Sequence, residues 1–288
     1  MSTDSTDQLL VIDAPRSGVR RIALNRPEAL NALSNQLRGE LFQRLEEHDR
    51  DPQVHVTVLR GIGRAFSAGY DLRADNSENL PFHTADGLGH WPRHVVDGCF
   101  RIWDLAKPVI AEVHGYCLAG GTELAQSCDL VYVADDASIG YPVVRNISPP
   151  DNQIFPWVLG MRRAMELMLT GDAMSGLEAA ECGFANRSFP AEELEERVLE
   201  LAERVARVPS DVQQFNKRSV HRQMELMGLR AGVRAGTELQ ALSSQTDSAK
   251  AFYERARRDG LKAALDDRDG GFGDYGTQSR AAEENEPD

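Results

Sequence analysis

Apolar residues follow two spacings in the first half of the chain. Short apolar runs are typical of strands, and between them apolar residues recur roughly every three to four positions, as on one face of a helix. The strand-like runs cover residues 8–13, 19–24, 54–60, 108–114 and 129–134, and the helical patterns cover residues 34–48, 93–105 and 121–127. Strands that alternate with helices in this way predict an α/β fold with a mostly buried sheet.

The pattern changes to successive helices after about residue 152. Helical spacing covers residues 162–170, 175–182, 191–207, 210–227 and 231–258. The predicted organisation is therefore a core over residues 1–190 and a C-terminal helical region over residues 191–268.

Two segments fit neither spacing. Residues 74–92 mix Gly, Pro, Asn and aromatic residues, which predicts a long surface loop of a kind that often serves function. Residues 269–288 are Gly-rich and then acidic, so we expect a disordered tail there.

The overall charge narrows the range of partners. Hydrophobic residues make up 41% and charged residues 27% of the 288 residues, as in an ordinary globular protein. The formal net charge of −13 makes nucleic acid and anionic membrane surfaces unfavourable partners. An anionic small ligand would need a local positive patch or backbone amides.

The four cysteines show no metal-ligand spacing, so we expect reduced thiols and no metal site. The N-terminal stretch is polar and acidic and lacks the pattern of a secretory or transit signal. No apolar run approaches the length of about 18 residues that crosses a bilayer. We expect a cytoplasmic protein.

A first candidate site lies in the stretch VLRGIGRAFSAGYDL, residues 58–72. Gly61 and Gly63 follow a strand, as in a dinucleotide-binding loop, but Phe66 stands where that fingerprint needs a third glycine. A second interpretation is that the turn ending at Tyr70 presents backbone N–H groups to an oxyanion. A plain turn between strand and loop is the third.

A second candidate lies in HGYCLAGGTELAQSCDL, residues 114–130. Gly120 opens a helix whose free N–H groups favour an anion, and Glu123 lies in its first turn. If the amides of Tyr70 and Gly120 converge, they form a two-donor oxyanion hole. Glu123 could equally do no more than complement the helix dipole.

Several other side chains have competing interpretations. Asp151 ends the stretch IGYPVVRNISPPD and could be catalytic or a helix N-cap. His114 is interpreted as structural. The histidines His83, His90 and His94 lack a further firm ligand for zinc. The aromatic residues Phe82, Trp91 and Tyr141 could shape a pocket or merely pack.

Long motifs in a fixed order resemble the crotonase superfamily, also called the enoyl-CoA hydratase/isomerase family. They are LNRPEALNALS (24–34), GRAFSAGYDL (63–72), KPVIAEVHGYCLAGGTELAQSCDLVYVADDASIGYP (107–142), GMRRAMELMLTG (160–171) and EAAECGFANRSFP (178–190). The resemblance implies a spiral of ββα units followed by a helical trimerisation region, in trimers or hexamers. It also implies acyl-CoA thioester substrates, with coenzyme A as part of the substrate and no metal or redox cofactor.

The resemblance also assigns residues. The oxyanion amides correspond to Tyr70 and Gly120, and the backbone that contacts CoA corresponds to Ala29 and Ala68. The stretch AFYER resembles a late CoA contact of the family, which points to Phe252 and Arg255.

The first glutamate of the hydratase pair matches Glu123, but Val143 stands where hydratases carry the second. Relatives such as dienoyl-CoA isomerases place a working aspartate at the position of Asp151. Because hydration normally shares its proton transfers between two carboxylates, we expect an isomerase or an atypical hydratase that uses Glu123 and Asp151. The alternatives are a hydrolase or dehalogenase with Asp151 as nucleophile, and a non-catalytic acyl-CoA-binding protein.

Overall fold

A computed structural model of the protein describes residues 8–73 and 90–275, with residues 90–95 described by their backbone alone. Its strands form a larger and a smaller sheet. The larger runs in the order β1 (Leu10–Arg16), β2 (Val19–Leu24), β3 (Val56–Gly61), β5 (Val109–Val113), β7 (Leu130–Ala134) and β10 (Arg187–Phe189). The smaller runs in the order β4 (Ala65–Ser67), β6 (Tyr116–Leu118), β8 (Ser138–Gly140) and β9 (Met174–Ser175).

Helices follow the strands. They are α1 (Asn35–Arg50), α2 (His90–Asp104), α3 (Gly120–Ser127), α4 (Phe155–Thr170), α5 (Gly176–Cys182), α6 (Ala191–Ala206), α7 (Ser210–Leu226), α8 (Leu229–Ser243), α9 (Asp247–Asp259) and α10 (Leu261–Asp269). Short 3-10 helices cover Pro27–Ala29 and Pro142–Arg145. None of the helices in the described part of the chain is long and apolar enough to cross a membrane.

The two sheets arise from one repeated unit. A strand in the larger sheet leads to a short strand in the smaller sheet and then to a helix, as in β3–β4–α2 and β5–β6–α3. Strands β3, β5 and β7 pair in parallel in the larger sheet, and β4, β6 and β8 pair in parallel in the smaller one. The expected spiral of ββα units is therefore present, and helices follow it from Ala191 onward.

Apolar patterning explains why the core lies where it does. Strand β5 (VIAEV) is buried along its whole length, as expected for a strand covered on both faces. On α1, Leu37, Leu41 and Leu45 recur every four residues and are almost completely buried. The N-cap of α1 is Ser34, whose hydroxyl accepts a hydrogen bond from the N–H of Leu37 at 3.2 Å.

The helical patterns were predicted in outline, with two differences. The helix predicted over 162–170 is preceded by a further helical stretch from Phe155, and the two parts of α4 meet at a kink where Gly160 takes a positive φ of 72°. The predicted run over 231–258 is two helices, because Thr246 caps a new helix through a hydrogen bond from the N–H of Ala249.

The beginning of the expected C-terminal tail is ordered. Asp269 still belongs to α10, and residues 270–275 continue as turns that pack against Arg145. The Arg145 guanidinium donates to Asp269 at 3.1 Å and to Asp274 at 2.7 Å, and it lies 3.7 Å from the ring centre of Phe272. The expectation of disorder from residue 269 is therefore wrong for residues 269–275, while residues 276–288 lie outside the described residues.

Candidate functional site

The candidate site forms where neighbouring strands of the smaller sheet end. Tyr70 follows β4, Gly120 follows β6, and Tyr141 follows β8. Because these strands are parallel and adjacent, their carboxyl ends lie at one edge of the sheet. Ligand sites commonly form beyond the carboxyl ends of parallel strands. Residues 61–70 thus run from β3 through β4 to this edge, and no helix follows Gly63 directly, so a dinucleotide-binding turn is not formed.

The two backbone positions expected to contact CoA are neighbours. Ala29 ends a 3-10 helix, and the N–H of Ala68 donates to the carbonyl of the next residue, Leu30, at 2.9 Å. Asn31 fixes this loop, since its buried side chain bonds the N–H of Arg26 and the carbonyls of Ile62 and Ala65. Residues 26–33 and 67–71 therefore form one support for the site.

Close packing joins the two oxyanion candidates. A Cβ atom on Gly120 would stand 2.7 Å from Cε2 of Tyr70, so only glycine lets the ring lie there. A Cβ atom on Gly121 would stand 2.4 Å from the carbonyl oxygen of Ser67. Ala119 precedes α3 with φ of 50°, a conformation that is strained for a residue other than glycine and that orients the Gly120 amide.

Glu123 is completely buried and surrounded by donors. Its Oε2 accepts from the hydroxyl of Tyr70 at 2.5 Å, and its Oε1 accepts from the hydroxyl of Tyr141 at 2.8 Å and from the N–H of Asp151 at 3.1 Å. Burial raises the pKa of Glu123, and the two hydroxyls and the N–H groups of Asp151 and Asn152 oppose that rise by stabilising the charged form.

Asp151 lies beside this carboxylate without comparable support. Its side chain is buried, and Oδ1 has no hydrogen-bond partner among the described residues. Burial, followed by the negative charge of Glu123, raises the pKa of Asp151 well above its usual range. The N-cap interpretation is wrong, because α4 begins at Phe155 with Ile154 in the cap position and no side-chain cap.

A buried cation acts on the pair. Arg38 on α1 is buried, and its guanidinium lies 5.6 Å from the ring centre of Tyr70. Its positive charge lowers the pKa of Asp151 and so acts against the larger effects of burial and of Glu123. Cys99 on α2 is also near, and burial raises the pKa of its thiol to about 12. Among the described residues, the site therefore combines two carboxyl groups, two phenols and a thiol with the guanidinium of Arg38.

Comparisons with known proteins identify the family. A model of the enoyl-CoA hydratase/isomerase family matches residues 15–269. The mitochondrial enoyl-CoA hydratase of Pongo abelii is 33% identical over 263 residues, which cover 88% of this chain and 83% of the relative. The chain belongs to the enoyl-CoA hydratase/isomerase family. The resemblance seen in the sequence is confirmed, and the protein is an enzyme of this type.

Other relatives extend the match over whole chains. A probable enoyl-CoA hydratase of Rhizobium meliloti is 35% identical over 262 residues, covering 88% of this chain and 97% of the relative. The crystal structure of an enoyl-CoA hydratase from Mycobacterium smegmatis matches with a TM-score of 0.85 at 32% identity, covering 93% of this chain and 96% of that one. The crotonase fold is confirmed.

Two residues expected from the family pattern have partners within this chain. Phe252 on α9 is buried in a small cluster with Ile147 and Ala264. Arg255 forms an ion pair with Asp267 at 2.9 Å. Their contact with CoA stays a prediction.

The structure tests the interpretations of His114 and Tyr141, whereas the other histidines and aromatic residues considered above lie outside the described side chains. Nε2 of His114 lies 2.8 Å from the carbonyl oxygen of Gly63, a structural contact. Tyr141 is neither simple packing nor only a pocket wall, since it bonds Glu123. The side chains of Phe82, His83, His90, Trp91 and His94 lie outside the described residues. Within the described part, His, Cys, Asp and Glu form no group suited to a metal.

Sequence reasoning missed the hydroxyls of Tyr70 and Tyr141 as donors to Glu123, and it missed Asn31 as a support of the site. Tyr70 was considered only for its amide, although a phenol next to a candidate oxyanion hole signals a second donor. Asn31 follows Leu30, and both residues take positive φ, a conformation that asparagine tolerates better than most.

Proposed function

We propose that the enzyme binds an acyl-CoA thioester and moves a proton along its acyl group. Glu123 and Asp151 exchange protons with the substrate, and the amides of Tyr70 and Gly120 form the oxyanion hole. The observation that carries the proposal is the buried carboxyl pair, in which the Asp151 N–H bonds Glu123 at 3.1 Å while Oδ1 of Asp151 has no partner among the described residues.

The chemistry follows from the unequal surroundings of the two acids. Glu123 accepts a proton from a carbon made acidic by the thioester, and the electron pair moves to the carbonyl oxygen. Amides that bind this oxygen stabilise the enolate, each worth about 3–4 kcal/mol by analogy with known oxyanion holes. Asp151, protonated in the resting enzyme, then gives its proton to another carbon, which completes an isomerisation, and transfer of the proton from Glu123 to Asp151 restores the resting state.

Val143 supports isomerisation over ordinary hydration. It lies in the 3-10 helix Pro142–Arg145. It packs against both the main core and the small cluster of Ile147, Phe252 and Ala264. An apolar side chain at this position offers neither a general base nor an acid for water. Hydration, if it occurs, must therefore be driven through Glu123 and Asp151.

The CoA portion would bind along the loops around Ala29 and Ala68, with Phe252 and Arg255 near its far end. The N–H groups of Ala29 and Ala68 already donate to the carbonyls of Arg26 and Leu30, so the carbonyls of Ala29 and Ala68 would serve as neutral acceptors. The positive charge of Arg255 would assist once its pairing with Asp267 is exchanged for a phosphate.

A second candidate reaction uses Asp151 as a nucleophile. The unpartnered Oδ1 favours it, because a nucleophilic oxygen must be free to approach a carbon. Its raised pKa argues against it, since a nucleophile must be ionised. Single-turnover reaction in ¹⁸O-labelled water distinguishes the two, because only a covalent ester that water hydrolyses leaves ¹⁸O in Asp151.

A panel of acyl-CoA esters tests the proposal. We expect turnover of an enoyl or dienoyl ester, with Glu123→Gln and Asp151→Asn each lowering kcat/KM by at least about 100-fold, as for general acids and bases. The exposed Asp136→Asn is the matched control and should keep its activity. Binding without turnover of any ester would favour the non-catalytic binding protein. Full activity of both site variants would refute the assignment.

We also propose that the chain forms a homotrimer or hexamer. Large apolar side chains are exposed on α4, α7 and α8, which a lone chain would leave in water. The most exposed are Leu169, Phe215, Leu226 and Met161. Analytical ultracentrifugation should give the mass of a trimer or its double, and Phe215→Glu should lower it.

A further inference from the structure

The hydroxyl groups around Glu123 are outside the roles assigned so far. Tyr70 reaches Oε2 from the end of β4, and Tyr141 reaches Oε1 from the end of β8. The two phenols therefore bind the two oxygens of one carboxylate from opposite strands. Since a phenol here can only donate to a carboxylate, both bonds are strongest when Glu123 is ionised.

We infer that the hydroxyls of Tyr70 and Tyr141 position Glu123 and hold its charge, so that the mobile proton resides on Asp151. They thereby decide which acid starts the reaction as the base and which starts as the acid. The inference deepens the proposed function and rests on it for its catalytic meaning. The distribution of the proton, however, can be measured without turnover.

The two carboxyl groups differ in the donors that each receives. Glu123 accepts the two phenols and the N–H of Asp151, whereas Oδ1 of Asp151 has no partner among the described residues. Both side chains are buried, and the charge of Glu123 acts on Asp151, so the two carboxylates cannot both be charged at low cost and one proton is shared between them. The donors favour the charge on Glu123 and therefore leave the proton on Asp151.

The phenols are suited to stay as donors. Burial, followed by the negative charge of Glu123, raises the pKa of Tyr70 and of Tyr141 well above its ordinary value. Other groups that face the pair in the described residues are the Arg38 guanidinium and the Cys99 thiol, and the Tyr253 phenol on α9 senses the charge of Asp151. Only Arg38 among these is a cation, and it lowers the pKa of Asp151.

Tyr70 also links two parts of the site. Its amide is the proposed oxyanion donor, its ring packs on Gly120, and its hydroxyl binds Glu123. A thioester carbonyl that accepts a hydrogen bond from the Tyr70 amide would therefore contact the same residue that orients Glu123. This arrangement ties the position of Glu123 to occupancy of the oxyanion hole.

Infrared difference spectroscopy of the whole enzyme tests where the proton resides. In a pH titration we expect the buried protonated carboxyl band of the wild type to disappear in Asp151→Asn and to remain in Glu123→Gln. In Tyr70→Phe combined with Tyr141→Phe, a band from protonated Glu123 should appear at neutral pH. Tyr132→Phe is the control, because Tyr132 lies on β7 next to Phe189 and has no bond to Glu123.

The pH dependence of kcat/KM distinguishes the proposed role of the two phenols from simple packing, because loss of packing alone would not shift it. Each lost phenol bond to a carboxylate should shift the acidic limb of kcat/KM upward by about one to two pH units. Loss of the carboxyl band in Glu123→Gln instead of Asp151→Asn would overturn the inference. So would a carboxyl band and an acidic limb of kcat/KM that both tyrosine substitutions leave unchanged. If no acyl-CoA turns over while the band pattern holds, the proposed function fails but the placement of the proton stands.

Discussion

Replacing Asp151 with asparagine should stabilise the fold at neutral pH while it removes activity. The side chain is buried, and Oδ1 has no hydrogen-bond partner among the described residues. Burial and the charge of Glu123 raise its pKa in the folded protein, so ionisation is unfavourable there. Asparagine keeps the shape of the side chain and removes its titration.

The magnitude follows from proton linkage. Because the folded pKa of Asp151 is above the unfolded one, the folded state binds the proton more tightly. Below the unfolded pKa both states are protonated, and the carboxyl causes no loss. Between the unfolded and the folded pKa, each pH unit lowers the free energy of unfolding by about 1.4 kcal/mol, and above the folded pKa the loss stays constant.

Urea unfolding at fixed protein concentration measures the effect. The difference in unfolding free energy between Asp151→Asn and the wild type should grow with pH from about 4 upward, at up to about 1.4 kcal/mol for each pH unit. Asp136→Asn, an exposed site, should show no comparable growth. Parallel curves for wild type and Asp151→Asn would refute the reasoning, because they would mean that Asp151 has the same pKa folded and unfolded.

Three further substitutions test the supports of the site. Asn31→Ala should lower stability by about 1–3 kcal/mol for each buried group that it leaves unpaired, and it should weaken CoA-ester binding in calorimetry. Gly121→Ala should lower the melting temperature sharply, because the new Cβ atom would stand 2.4 Å from a backbone carbonyl oxygen, whereas Gly271→Ala, with open space around it, should not. Arg145→Met should lower stability and open the C-terminal segment to limited proteolysis, because it removes the guanidinium that bonds Asp274 and Asp269, although Asp269 keeps its pair with Arg268.

A contrary result for each substitution would contradict one particular step of the reasoning. Unchanged CoA-ester affinity in Asn31→Ala would separate the loop at Ala29 from binding. Equal melting temperatures for the two alanine variants would mean that the backbone at Gly121 yields easily. Unaltered proteolysis of Arg145→Met would show that residues 270–275 are held by contacts other than this guanidinium.

The sequence predicted those parts of the fold that have a long apolar pattern. Strands β3 and β5 and helix α1 were found because their buried positions recur over five residues or more. Strands β4, β6 and β8 have only three residues each, too few for a period to emerge. Yet these three strands bring the site together, so the sequence could name Tyr70 and Gly120 but not how they meet.

The candidate acids could be named from the sequence, but their surroundings could not be predicted. Glu123 and Asp151 could be chosen from the family pattern, whereas the donors around Glu123 and the unpartnered oxygen of Asp151 depend on side chains far apart in the chain. Tyr70 and Glu123, for instance, are separated by 53 positions. Asp151 also resembled a helix cap, since a proline pair precedes it and nothing local marks where α4 begins.

The repeated ββα unit divides the enzyme into exchangeable parts. The proposed oxyanion amide of Tyr70, the proposed amide and base on α3, and the proposed acid beyond β8 each come from a separate turn of the chain. If the proposed roles hold, a change in the segment after β8 moves the second acid from position 143 to position 151 and leaves the segments that carry the Tyr70 and Gly120 amides unaltered. One scaffold can in this way acquire a new reaction by rewriting a single loop, and the repertoire of such proteins should diverge fastest in the segment between Tyr141 and α4.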